Sequence, residues 1–176
     1  MVKRTLPMAT VATLAIALAL NVLVLRPSTV SAASLIPFQA VVSETYTAGP
    51  CGIAHVCITA VGRGQATQLG EIIEHALVVI DVNPADAVNG CAPETRTTTL
   101  AAPNVVQVMM HGTGLTRCPG SNEANDNFVI TGGTGRFEGA IGDGSEYNVH
   151  TFTGPGVGVA TVWHDGTISS VGSLNK

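Results

Sequence analysis

Four cysteines, a scatter of carboxylates and five histidines are the residues of this 176-residue chain that could carry chemistry. Cys51, Cys57, Cys91 and Cys118 contain no C-x-x-C pair, and their spacings do not suit a zinc site. An even count in an exported domain reads instead as two disulfides. Three pairings are possible. The favoured one joins Cys51 to Cys57, closing a short loop beside Gly49-Pro50, and Cys91 to Cys118, tying the ends of a hairpin-like segment. Paired thiols leave no cysteine nucleophile. The histidines (His55, His75, His111, His150 and His164) form no H-x-H, H-x-x-x-H or H-E-x-x-H, so no metal site is expected. No G-x-S-x-G occurs, and Gly142 to Glu146 reads as a turn rather than a nucleophile elbow.

Two carboxylates stand out by position. Glu44 shares a strand face with Ile36, Phe38, Ala40 and Val42, as does Tyr46. Inside a closed sheet, such a carboxyl would have a raised pKa and could exchange protons near neutrality. The competing expectation, and the favoured one, is that the strand has ended and Glu44 is solvated, because unpaired carboxylates are rarely buried. Glu74 lies on the face of Ile72, Ala76, Val78 and Ile80, and His75 on that of Ile73, Leu77 and Val79. Both faces are apolar, so periodicity does not choose between them. His111 alternates away from Val106, Val108 and Met110, which places it on the surface or rim.

A Gly-rich segment, Ile130 to Gly139, imitates a dinucleotide loop and fails as one. From Gly133 its spacing is G-x-G-x-x-x-G, one residue too long. The following Ala140 to Gly144 cannot be helical, and the 37 residues after Gly139 are too few for the rest of a nucleotide domain. No cofactor is expected. Its plain role is structural. Gly133-Thr134-Gly135 turns the chain, and Arg136-Phe137 caps one end of the fold, with Phe137 as an apolar plug.

The elements that must position these residues are strands. Low charge, 20 glycines and abundant Val, Thr and Ala describe strands joined by tight turns, and no long segment has a helical period. Alternation marks strands over 36–46, 56–66, 71–82, 105–116, 127–131, 145–152 and 157–163. The Thr-rich stretch Glu94 to Ala101 suits an edge or solvent-facing strand, and 84–93 reads as loop. Asp165-Gly166 is a strong hairpin signal, which would start a last strand at Thr167. About eight or nine antiparallel strands at roughly 10–12-residue spacing are the signature of a sandwich or barrel. A barrel leaves no open edge, so the expectation is all-β: an eight-stranded, calycin-like antiparallel barrel. Residues that could line its cavity are Phe38, Val42, Glu44, Tyr46, Met110 and Trp163, although the single tryptophan is more often core than ligand platform.

The first 32 residues read differently. Lys3 and Arg4 precede an 18-residue apolar run, Met8 to Leu25, which ends at Arg26-Pro27 and Val30-Ser31-Ala32. This fits a cleaved export signal over 1–32, with a single domain over 33–176. The rival is a retained anchor, since the run is long enough to span a bilayer. Either way the domain lies outside the cytoplasm, secreted or in the cell envelope. Beyond residue 32 five basic residues (Arg63, Arg96, Arg117, Arg136 and Lys176) face 12 acidic ones. That acidity argues against nucleic acid or, once the signal is removed, an anionic membrane as partner.

Three stretches carry a family resemblance. Gly132 to Ala140 (G-G-T-G-R-F-E-G-A) resembles the signature of allene oxide cyclase-like and dirigent-like barrels and of a group of exported bacterial proteins related to them, and Gly64 to Gly70 (G-Q-A-T-Q-L-G) and Asp165 to Ser169 resemble stretches of that bacterial group. Gln68 departs from that group, where His is commoner. The resemblance implies an eight-stranded barrel with a central cavity, often oligomeric, so a homo-oligomer is possible. It brings no catalytic set. The function expected is non-catalytic binding of a small apolar or amphipathic ligand, with a cyclase or isomerase acting inside the barrel as the alternative.

Overall fold

The protein is described here by a computed structural model covering residues 34–169. The export signal proposed for 1–32 lies outside these residues, as does the end of the last predicted strand. Eight strands follow in order: β1 (Leu35–Gly52), β2 (His55–Ala66), β3 (Gly70–Asp81), β4 (Ala92–Ala101), β5 (Gln107–Thr116), β6 (Glu123–Gly133), β7 (Gly142–Gly154) and β8 (Val157–Ser169). Each pairs antiparallel with its neighbours in sequence, and β8 returns to β1, closing the barrel. Every ladder is thereby satisfied and no edge is left open.

Alternation drives this arrangement. In β1, Phe38, Ala40, Val42, Glu44 and Tyr46 point inward and are buried, while Gln39, Val41, Ser43 and Thr45 are exposed. Glu74 takes the inward face of β3 and His75 the outward one, and His111 is exposed as expected. Several sequence expectations fail, among them the turn over Gly142 to Glu146, which instead opens β7 and pairs with β6 and β8. The Thr-rich segment is no edge strand, because β4 is hydrogen-bonded to β3 and β5 along its length. Asp165-Gly166 is no turn, because both residues pair in mid-strand with β1 and β7. Gly166 is needed there for lack of a side chain: a Cβ would lie 2.7 Å from Gly144 Cα and overlap the Asp143 carbonyl.

The interior is layered. One half is a packed apolar core containing Phe38, Val42, Leu100, Val108, Met110, Phe128 and Ile168. Phe137, on a short 3-10 turn over Gly135–Phe137, is buried in this cluster and plugs that end. Gly135 makes the turn at a φ of +59°, a left-handed conformation that suits glycine. The opposite end carries both disulfides, Cys51–Cys57 joining the end of β1 to the start of β2 and Cys91–Cys118 joining the β3–β4 and β5–β6 connections. These are the favoured pairings, and they point to an oxidising, extracytoplasmic environment.

Candidate functional site

Between plug and mouth, six strands send a polar side chain to one zone of the lumen. Glu44 comes from β1, Glu74 from β3, Glu94, Arg96 and Thr98 from β4, Asp126 from β6, Glu146 from β7 and His164 from β8, and all are buried. The other two strands contribute glycines. Gly62 of β2 lies across from Glu44 and Glu74, and Gly114 of β5 across from Glu94 and Asp126. The missing side chains make the room. A Cβ on Gly62 would sit 2.9 Å from Glu44 Cγ, and one on Gly114 would overlap Asp126 Oδ1.

Arg96 is the hub. Its Nη2 donates to Glu44 Oε1 at 2.7 Å and to Glu74 Oε1 at 2.8 Å, and its Nε donates to Thr98 Oγ1 at 3.1 Å. Glu146 Oε1 lies 3.2 Å from Nε, attracted by charge but without a hydrogen bond of its own. The His164 ring stands between two carboxylates, with Nε2 3.6 Å from Glu74 Oε1 and Nδ1 3.4 Å from Glu146 Oε2. A buried charge is tolerated only when it is paired in this way.

The balance is nevertheless acid-heavy, with five buried carboxyl groups against one guanidinium and one imidazole. Protonation relieves the excess. Burial pushes the Glu44 carboxyl up to about 7 despite Arg96. Burial, with repulsion from Asp126, pushes Glu94 up to about 9. Burial and the charge of Glu146 raise Asp126 to about 6. Glu74 is buried too, yet His164 and Arg96 together hold it below the ordinary carboxyl range. Arg96 is buried among carboxylates that keep it firmly cationic, its pKa driven further up by Glu146, Glu74 and Glu44.

Above this layer the lumen opens into a cup of about 70 Å³ at the disulfide end. Its walls are apolar, with Tyr46, Ile58, Ala60, Val78, Ile80 and Phe152 among them, and its floor is made by Glu44, Glu94, Arg96 and Asn148. Phe152 stands edge-on to Tyr46 at 6.1 Å and to His150 at 5.7 Å, an aromatic group at the rim. The Tyr46 hydroxyl is buried without a hydrogen-bond partner. A larger hollow of about 960 Å³ lies on the outer wall over Val61, Ile73, His75, Val159 and Trp163, but it is an open trough.

No family model, characterised protein or solved structure matches this chain.

Of the residues expected to line a cavity, Glu44 and Tyr46 do so. The expectation that Glu44 is solvated is overturned, because Arg96 supplies the partner that makes its burial tolerable. Phe38, Val42 and Met110 belong to the packed core on the plug side. Trp163 faces outward, 39 % exposed and stacked on Tyr147, because its odd position in β8 alternates away from Val162 and His164. Glu94, Arg96, Asp126, Glu146, Asn148 and His164 were not singled out from sequence. Parity carries their signal. Asp126 keeps step with Phe128 and Ile130, and Arg96 with Leu100, at the spacing of two that puts residues on one face of a strand. Chemically, a cup with apolar walls and near-neutral carboxyls below can hold the polar end of a small molecule and exchange a proton with it.

Proposed function

We propose that this is a secreted barrel whose cup binds the polar end of a small amphipathic molecule without transforming it. The carrying observation is the cup itself, with Ile58, Ala60, Val78 and Ile80 above Glu44, Glu94, Arg96 and Asn148. Its roughly 70 Å³ is well below the 300–1,000 Å³ of pockets that engulf drug-sized ligands. The ligand is accordingly small, or leaves its tail in the mouth. Export is supported by the signal-like first 32 residues, and the two disulfides agree with it. The resemblance to allene oxide cyclase-like and dirigent-like barrels supports a lumenal ligand. It also motivates a second reading, a cyclase or isomerase, which a Glu44 carboxyl at about 7 on the cup floor favours.

The test is native mass spectrometry of protein purified from its own host, beside an Ala160→Phe variant that fills the cup wall. The expected result is a retained small molecule on the wild type, absent from the variant, and recovered unchanged after prolonged incubation. A variant that retains the molecule as well as the wild type refutes the cup as its site. Conversion during incubation favours the second reading.

A further inference from the structure

We propose that the occupant of the cup is a cation, an ammonium group on a short apolar body. This rests on the binding reading above and names its ligand class. The inventory of charge leads to it. Arg96 turns its Nη2 to Glu44 and Glu74 and its Nε to Thr98. Among the described residues neither Glu94, on the cup floor, nor Asp126, which it faces across Gly114, makes an ion pair, so two carboxyls meet here with no cation between them. An anion entering here would add to an excess of acid. A neutral ligand would leave that excess as it stands. A cation would satisfy it, taking the place of the protons that burial and mutual repulsion hold on Glu44 and Glu94.

A second, independent set of groups fits the same class. The Tyr46 and Phe152 rings meet edge-on at the cup wall, with the Tyr46 hydroxyl unpartnered and the residue 6 % exposed. Aromatic faces around a cup attract cations through their quadrupole, most strongly where water is excluded. His150 completes the aromatic group, and burial holds its pKa down, so at neutral pH the ring adds no charge. Arg117 is the cationic group at the rim, and it is exposed to solvent that screens it. The remaining ionisable groups of the lumen are Glu74, Glu146 and His164, which lie beneath the floor with the His164 ring between the two carboxyls.

The test is calorimetric titration of the oxidised protein with three probes sharing one apolar body: n-butylammonium, n-butanol and butyrate. The ammonium is expected to bind about ten-fold or more tightly than the alcohol, with no binding of the carboxylate. Its affinity should rise from pH 6 to 9, with proton release measurable as a dependence on buffer ionisation enthalpy. Glu94→Gln, checked for an unchanged far-ultraviolet spectrum, should weaken the ammonium about ten-fold and butanol by clearly less. Butanol or butyrate binding as tightly as the ammonium overturns the ligand class while leaving the cup as a binding site. Failure of all three probes overturns both.

Discussion

Replacing Arg96 by methionine removes the one guanidinium from a layer that holds five buried carboxyl groups. Methionine fills a similar volume, so the loss is chiefly of charge and of hydrogen bonds to Glu44, Glu74 and Thr98. Breaking a buried ion pair from one side costs about 3–5 kcal/mol. For a urea m-value of about 2 kcal/mol/M that is a midpoint lower by roughly 2 M. The deficit should depend on pH in a defined direction. In the wild type Glu74 is held below its ordinary pKa, so it contributes stability above that ordinary value. In the variant Glu74 keeps only His164 and Glu44 loses its one cation, so both pKa values move up and stability falls as pH rises. The difference changes by about 1.4 kcal/mol per pH unit, so the deficit should shrink by about 2–3 kcal/mol between pH 7.5 and 5.5. Urea unfolding followed by circular dichroism, with disulfides intact, measures both quantities. A loss under about 1 kcal/mol, or one independent of pH, refutes the account of Arg96 as the hub.

Other outcomes follow from the same geometry. Glu44, Glu94 and Asp126 have raised folded-state pKa values, so their net contribution favours stability in mild acid and is lost as pH climbs through about 6 to 9. The urea midpoint should therefore be higher at pH 5.5 than at pH 8.5, and Glu94→Gln should flatten its fall above pH 7. Gly114→Ala places a methyl against Asp126 Oδ1 and the Asn125 carbonyl and should cost about 1–3 kcal/mol, whereas Gly120→Ala, with open space around it but a φ of +75°, tests backbone strain alone. Removing Cys91–Cys118, at a sequence separation of 27, should cost about 3.6 kcal/mol, against about 2.2 for Cys51–Cys57 at a separation of 6. Equal costs for the two bridges would argue against a loop-entropy origin.

The strands and the disulfides were legible because they rest on local signals. Alternation located β1, β2 and β3 within a few residues, apart from the mouthward extension of β1 to Gly52. The lumen was less legible because the barrel inverts the usual contrast in two places. Its outer wall exposes Val41, Val61, Ile73 and Leu77, which made the two faces of β3 look alike. Its centre is polar, so in β4 the inward Glu94, Arg96 and Thr98 were as hydrophilic as the outward Thr95, Thr97 and Thr99, and the strand read as an edge. Partnership across strands decides such cases. Glu44 and Arg96 are 52 residues apart, and nothing local to Glu44 announces the arginine that makes its burial tolerable. Gly166 failed for a related reason: Asp-Gly is a turn signal by conformation, but here glycine is needed for close backbone approach.

Because Phe137, the apolar half and the ionic layer fill the lumen behind the cup, the barrel is a blind vessel with one door. A molecule bound in the cup would have to leave by the way it came. Both sulfur bridges lie at this threshold, so covalent ties hold the strand ends there while apolar packing around Phe137 holds the far end.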